Sequence, residues 1–223
     1  RCSRDWSSDV CSSDLPLFLY SDVGLGKTHL CHAIVHYIMD HHPQLKILYT
    51  TTEDFVTGLI DAIQTNGMGY FRSRHKLTDV FLIDDVQFLS GKERAQEEFF
   101  HIFNAIHQAG KQIVLTSDRP PKDIAHLEKR LRSRFGAGII VDIQSPDLET
   151  RIAILRHELE KRGRKGFLSD EIIHYIGQQI SSNVRELKGV LNQVIARQEF
   201  SETPLDPAVM AQILERNYTE ASE

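Results

Sequence analysis

The sequence has few cysteines and no run of about eighteen or more apolar residues, the length that a membrane-spanning helix needs. It also begins without a basic stretch followed by an apolar one, so it shows no secretory signal and we expect a cytoplasmic protein. The three cysteines, Cys2, Cys11 and Cys31, lack the paired spacing of a zinc site or a disulfide framework. Cys31 is expected to be a small core residue.

The chain also lacks the basic charge that holds a protein to duplex DNA. Lysine and arginine number 26 against 31 aspartates and glutamates, which gives a net charge of -5. Any contact with nucleic acid must therefore be local. With 41% hydrophobic residues over 223 positions, the composition is typical of one globular domain or of a domain with a small companion.

Residues 1–15 show neither the periodicity of a strand nor that of a helix, and Ser-Ser-Asp occurs in them twice. Residues 5–15, DWSSDVCSSDL, resemble the translation of a sequencing-library adapter. We therefore expect a non-native or disordered tail, the alternative being a natural polar tail. The fold is expected to begin at Pro16.

From Pro16 the sequence reads as a short apolar strand, a glycine-bearing loop and a helix that opens at Lys27-Thr28. This order is typical of a phosphate-binding loop, in which backbone N–H groups converge on anionic oxygens. Lys27 is expected to reach the β- and γ-phosphates of ATP, and Thr28 to bind Mg²⁺. The nucleotide-binding candidates are Val23, Gly24, Leu25, Gly26, Lys27, Thr28 and His29.

The loop departs from the usual G-x-x-x-x-G-K-[ST] pattern at its first position, where Ser21 replaces glycine. Ser21 must accept the backbone angles that glycine would have had, so we expect a slightly altered loop. The carboxylate of Asp22 is expected to weaken nucleotide affinity unless it points to solvent.

Two further polar strand ends are expected beside the loop. VFLIDD, residues 80–85, delivers Asp84 and Asp85 at the carboxyl end of an apolar strand, the edge where ligands bind in parallel sheets. Asp84 is placed to hold Mg²⁺ and Asp85 to orient or deprotonate the attacking water. The alternative is an ordinary turn or helix cap. The strand of residues 111–118 ends in Asp118, which could sense the γ-phosphate.

A short arginine-rich helix follows. Arg130 and Arg134 share one face and Arg132 does not, which suits an arginine finger offered to a neighbouring subunit, the alternative being a solvated surface. Beyond Pro146 the periodicity is helical throughout and predicts a small lid. Arg185 could reach from this lid to phosphate, or could form a surface salt bridge. The expected N-caps are Ser169 and Ser182 in the lid, and Thr52 for the helix after the second strand.

Several motifs together resemble the AAA+ ATPase domain of the DnaA family of bacterial replication initiators. They are GLGKTHL (24–30), IDDVQFLSGKERAQEEFFHIFN (83–104), LTSDRPP (115–121), RLRSRFGAG (130–138), ETRIAIL (149–155) and SNVRELKGVLN (182–192). IDDVQF is the most distinctive, because most AAA+ proteins carry glutamate at the position of Asp85.

The resemblance implies an α/β fold: a P-loop AAA+ ATPase with a parallel β-sheet core flanked by helices over residues 16–146, followed by a small all-α lid over 147–200. Residues 201–223 would be a helical linker that stops before a module for duplex origin DNA, and a partner-binding module would precede Pro16. In the family's pattern Asp84 and Asp85 are the metal and hydrolysis pair, and Asp118 is the first sensor. Arg134 is the arginine finger, Arg130 a supporting interface residue and Arg185 the second sensor.

The resemblance also implies a slow ATPase that uses ATP/ADP and Mg²⁺, assembles with ATP and engages single-stranded DNA. Residues 53–77 resemble an initiator-specific helical insertion, and the implied single-stranded DNA contacts are Ile60, Lys92 and Arg94. Replicative helicase and regulators are further implied partners, and acidic membrane lipid is one by family analogy only. Two alternatives stay open: an ADP-bound adaptor that regulates the initiator, and a helicase loader of the DnaC type.

Overall fold

Five parallel strands form the sheet of this protein in a computed structural model that describes residues 16–200. They are β1 (Leu17–Tyr20), β2 (Ile47–Thr51), β3 (Val80–Asp84), β4 (Gln112–Ser117) and β5 (Ile139–Asp142), in the spatial order β2-β3-β4-β1-β5. Thr51 lies in register with Asp84, and Tyr20 with Ser117, so the carboxyl ends of β1 to β4 meet at one edge. The predicted parallel α/β architecture is confirmed.

Helices cover both faces of the sheet. They are α1 (Lys27–His41), α2 (Thr52–Gln64), α3 (Met68–Lys76), α4 (Glu93–Gln108) and α5 (Lys129–Phe135), with short 3₁₀ turns at Val86–Leu89 and Pro121–Asp123. Alternate strand residues point to opposite faces. One face holds a phenylalanine-rich core, and the other packs Leu19, Leu82 and Val114 against Cys31 of α1. Helix α4 buries four apolar residues at helical spacing, Phe99, Ile102, Phe103 and Ile106.

The described residues divide into two compact units, one of residues 16–22 and 26–143, the other of residues 23–25 and 144–200. The second unit contains α6 (Leu148–Lys161), α7 (Asp170–Gln179) and α8 (Val184–Glu199). Its core is aliphatic and centres on Leu155, Ile176, Leu187 and Leu191. The boundaries drawn from sequence at 146/147 and 200/201 remain a prediction, as do the tail of residues 1–15 and the linker of 201–223, which lie outside the described residues.

Two of the three predicted helix caps differ from the structure by one residue. The cap of α2 is Thr51 rather than Thr52, and its Oγ1 accepts from the Asp54 N–H at 3.0 Å. The cap of α8 is Asn183 rather than Ser182, since Asn183 accepts from the Glu186 N–H at 2.8 Å. Ser169 caps α7 as predicted. No helix within residues 16–200 has the length and hydropathy of a membrane span.

Candidate nucleotide site

The glycines of the loop take backbone angles that other residues adopt at a cost. Gly24 has φ 83° and Gly26 has φ 96°, and Gly26 is also the residue from which α1 begins. The first turn of α1 therefore presents its free N–H groups directly after the loop, the arrangement that binds anions. Residues 23–25 group with the helical unit, where Gly24 O accepts a hydrogen bond from the Val184 N–H at 3.1 Å.

The ammonium of Lys27 is held close to the loop backbone. It donates to Ser21 O at 2.9 Å, to Ser21 Oγ at 3.2 Å and to Asp22 O at 3.1 Å. Ser21 is buried while Asp22 is exposed. The non-glycine residues with positive φ among those described are Asn66, Asp85 and His126, so Ser21 does not need a glycine conformation. The expectation of a slightly altered loop therefore stays a prediction, and the Ser21 hydroxyl adds a partner for Lys27.

Asp84 is 2% exposed, and hydroxyl groups surround its carboxylate. Oδ2 accepts from Thr28 Oγ1 at 2.6 Å and from Tyr49 OH at 3.2 Å, and Oδ1 accepts a short hydrogen bond from Thr116. The hydroxyl of Thr52 donates to the backbone oxygen of Asp84 at 3.0 Å. The two predicted metal-site residues, Thr28 and Asp84, are therefore in direct contact although 56 positions separate them.

Asp85 adopts a left-handed backbone conformation, with φ 61° and ψ 52°. Its N–H donates to Thr116 Oγ1 at 2.9 Å, and its Oδ1 accepts from Gln87 Nε2 at 3.1 Å. Such conformations cost about 1–3 kcal/mol and persist where neighbouring contacts enforce them, often at functional sites.

Asp118 follows β4, and its N–H donates to Gln87 Oε1 at 3.3 Å. Gln87 thus connects Asp118 with Asp85. The carboxylate of Asp118 accepts two hydrogen bonds from the Arg119 guanidinium, at 2.8 and 2.7 Å. This pairing lowers the pKa of Asp118, and Lys27 lowers it further by its charge.

Burial and the nearby carboxylates also shift two neighbouring groups. Burial, with the charges of Asp84 and Asp85, raises the pKa of Cys31 to about 12. The pKa of Tyr49 is raised chiefly by burial and then by Asp84. Both side chains therefore stay neutral beside the acidic pair, and Tyr49 serves as a hydrogen-bond donor.

The residues at this edge fit a magnesium ion by donor chemistry. Hydroxyl and carboxylate oxygens are hard ligands, and Mg²⁺ commonly takes one or two of them and completes its shell with water and substrate phosphate. Thr28 and Asp84 supply one oxygen of each kind, and Thr28 Oγ1 lies 2.6 Å from Asp84 Oδ2. Within residues 16–200, no cluster of three or more histidine, cysteine or acidic side chains is positioned to hold a metal by itself.

A family model described as the bacterial DnaA ATPase domain matches residues 5–142 of this chain. The chain belongs to this family. The DnaA of a Thermus thermophilus strain is 54% identical over 199 residues, and that of Symbiobacterium thermophilum is 54% identical over 198. These matches cover 89% and 88% of the chain but only 45% and 43% of the relatives, so the chain spans less than half of their length.

Solved structures of DnaA proteins agree with this membership. Domain III of the Thermotoga maritima DnaA superimposes with a TM-score of 0.85 at 37% identity, covering 92% of this chain and 85% of that one. A replication initiator DnaA bound to AMPPCP and single-stranded DNA has a TM-score of 0.71 at 38% identity, covering 80% and 54%. A DnaC helicase loader, at 17% identity and a TM-score of 0.53 over 61% of this chain and 82% of its own, shares the fold alone.

The three arginines expected from the DnaA pattern on α5 have different environments. Arg132 turns inward and donates to Ile124 O and Leu127 O. Arg130 is exposed, pairs with Glu128 and lies 4.4 Å above the ring of Phe100. The side chain of Arg134 is half-buried and has no hydrogen bond or ion pair within residues 16–200. The predicted separation of Arg132 from the other two is therefore seen, and the guanidinium of Arg134 is unpaired among the described residues.

The remaining predicted residues lie on surfaces. Ile60 of α2 is 48% exposed, and Lys92 and Arg94 are exposed at the start of α4. Arg185 is exposed in the first turn of α8. Sequence reasoning missed Tyr49, Gln87 and Thr116, which position the acidic pair. Tyr49 lies in the middle of β2, Thr116 next to the end of β4 and Gln87 in the turn after Asp85, so no shared sequence signal marks them.

Proposed function

We propose that this chain is the nucleotide-binding switch domain of a chromosomal replication initiator. It binds ATP or ADP with Mg²⁺ at the loop of residues 21–29 and hydrolyses ATP slowly. The contact of Thr28 with Asp84 carries the proposal, because two oxygen donors of the kind that Mg²⁺ prefers lie together beside the loop at the carboxyl edge of the sheet. A DnaA relative that binds AMPPCP and single-stranded DNA supports it.

In this proposal each residue has one task. Lys27 and the N–H groups of the loop bind the phosphates, and Thr28 and Asp84 hold the metal. The Asp85 carboxylate orients the attacking water, while Asp118 senses the γ-phosphate. When bound, Mg²⁺ neutralises phosphate charge.

We further propose that ATP-bound copies associate, with Arg134 of one copy completing the nucleotide site of the next. The Arg134 guanidinium, which has no partner in the part of the chain that the structure describes, supports this role, because an arginine finger must be available to a partner. Arg130 supports the same interface, and Arg185 acts as the second sensor. ATP-dependent assembly at an origin would then present Ile60, Lys92 and Arg94 to single-stranded DNA.

The test combines two inactive variants. Lys27→Ala should lose nucleotide binding, whereas Arg134→Ala should bind ATP normally yet fail to hydrolyse it or assemble. Mixing the two should restore part of the hydrolysis, because a Lys27→Ala copy can still offer Arg134 to the nucleotide on its neighbour. Lys122→Ala and Arg156→Ala remove the same charges at exposed positions and serve as controls.

Several results would redirect the proposal. If the mixture stays inactive while each variant is folded, Arg134 does not act across an interface. A preference for ADP without assembly would favour the regulatory adaptor.

Single-stranded DNA affinity should depend on salt, and Lys92→Ala with Arg94→Ala should reduce the slope of log affinity against log salt by about 1.4. The pair Lys122→Ala and Lys129→Ala should leave it unchanged.

A further inference from the structure

Gln96 is a buried amide in the first half of α4, 1% exposed, and both ends of its side chain are bonded to backbone. Nε2 donates to Leu89 O at 2.9 Å and to His126 O at 3.0 Å. Oε1 accepts from the Glu128 N–H at 2.8 Å. The side chain therefore uses both of its donor hydrogens and its acceptor, so it contributes specific hydrogen bonds as well as filling space.

The partners of Gln96 belong to two functional segments. Leu89 ends the 3₁₀ turn that begins directly after Asp85. His126 and Glu128 belong to the segment of residues 124–128, here called the connector, which leads into α5 with Arg130 and Arg134. The Gln96 side chain thus connects the 3₁₀ turn of residues 86–89, which follows Asp85, to the segment that leads into α5.

The connector has no regular secondary structure, so its shape depends on such side-chain contacts. Arg132 binds Ile124 O and Leu127 O, and Ser90 Oγ donates to Ala125 O at 2.7 Å. His126 is held at φ 49°, a left-handed conformation that needs support from its surroundings. Glu128, at the N-cap position of α5, provides no side-chain cap. The direction in which α5 leaves the connector is therefore set from outside the helix.

We propose that Gln96 is a positioning residue that holds the connector against the turn after Asp85 and so sets the position of Arg130 and Arg134 for a neighbouring subunit. The inference rests on the proposed function, in which Arg134 acts across an interface. Gln96 does not reach the loop at Lys27, so its loss should affect the interface and not nucleotide binding.

The alternative role, packing alone, makes a different prediction for Gln96→Met. Methionine has nearly the same length, so it fills the space, but it leaves the Glu128 N–H without its partner. It also removes one of two donors from each carbonyl, since Leu89 O keeps the Lys92 N–H and His126 O keeps the Gly91 N–H. If only volume matters, Gln96→Met should behave like the wild type. If the hydrogen bonds matter, the change should be concentrated in the connector and α5.

The experiment follows three readouts on the full 223-residue chain: amide hydrogen exchange, ATP affinity and ATP-dependent sedimentation. Gln96→Met should speed exchange in residues 124–135 but not in residues 17–41. ATP affinity should stay within about twofold, while the protein concentration needed for assembly should rise about tenfold, because the Glu128 N–H loses its partner and the connector loses two further hydrogen bonds. Ile106→Val, a small core change elsewhere in α4, is the matched control and should show none of these local effects.

A second variant tests the strained turn. His126→Gly removes the cost of the positive φ, so Gln96→Met with His126→Gly should recover part of the assembly. Exchange unchanged in residues 124–135, or ATP affinity falling in step with assembly, would overturn the positioning role. If the wild type itself fails to assemble with ATP, the proposed function fails, whereas hydrogen exchange still decides whether Gln96 holds the connector.

Discussion

Thr116 offers a sharp test of how the acidic pair is held in place. Its hydroxyl donates to Asp84 Oδ1 and accepts from the Asp85 N–H at 2.9 Å, in a site where Thr116 is fully buried. Thr116→Val keeps the shape and removes both contacts. A hydrogen bond to a charged group contributes about 1.5–3 kcal/mol, and a buried unpaired N–H costs about 1–3 kcal/mol. Because both contacts share one hydroxyl, they are not additive, and we expect the free energy of unfolding to fall by about 2–4 kcal/mol.

Urea unfolding without nucleotide measures this change, with an unaltered m-value showing that the comparison is sound. Thr116→Ser is the control, since it keeps the hydroxyl and loses one methyl group, at a cost of about 1 kcal/mol. The kcat for ATP hydrolysis should fall in Thr116→Val more than in Thr116→Ser, because Asp85 loses the contact that fixes its backbone. The reasoning is refuted if Thr116→Val unfolds within about 0.5 kcal/mol of wild type, the usual range for surface changes.

Two further predictions concern strain and pH. Asp85→Gly should change the free energy of unfolding by less than about 1 kcal/mol, because relief at φ 61° offsets the lost Gln87 contact and the added unfolded-state entropy, while ATP hydrolysis is lost. A loss of stability as large as that of Asp85→Ala in urea would contradict the strain argument. Burial among Phe55, Phe71 and Phe81 lowers the pKa of His75 below its usual 6.5. As pH falls, His75 therefore takes up a proton at a higher pH in the unfolded chain than in the folded one. The free energy of unfolding is unaffected by this difference above pH 6.5 and decreases as pH falls from there toward the lower folded-state pKa. His75→Gln should flatten this part of the pH dependence of urea unfolding, and an unchanged slope would refute it.

Much of the fold could be predicted because the deciding patterns are local. The apolar runs before Ser21 and Asp84 each end in polar residues, and parallel strands bring such ends to one edge of the sheet. The helix of residues 93–108 shows its buried face in the spacing of Phe99, Ile102, Phe103 and Ile106. The separation of Arg132 from Arg130 and Arg134 likewise follows from helical geometry alone.

The supporting polar contacts could not be predicted in this way, because each joins residues distant in sequence. Thr116 lies 32 positions from Asp84, and Tyr49 lies 35 positions from it. A threonine in a strand is ordinary by composition, so only the register of β3 beside β4 shows that its hydroxyl meets two functional residues. The cap errors at Thr51 and Asn183 have a more local cause, since two adjacent residues had equal capping chemistry.

Gln87 and Thr116 should act as a coupled pair, because both contact Asp85. Gln87 binds the Asp85 carboxylate, and the Thr116 hydroxyl binds the Asp85 N–H. Polar networks of this kind lose more than one contact when a member is removed, so single substitutions do not add. A double-mutant cycle of Gln87→Met with Thr116→Val should give a coupling of about 0.5–3 kcal/mol in urea unfolding. Arg72→Met, which breaks an ion pair with Glu98 that shares no partner with Thr116, should add to Thr116→Val within about 0.5 kcal/mol. Strict additivity in both cycles would show that Asp85 is held by independent contacts.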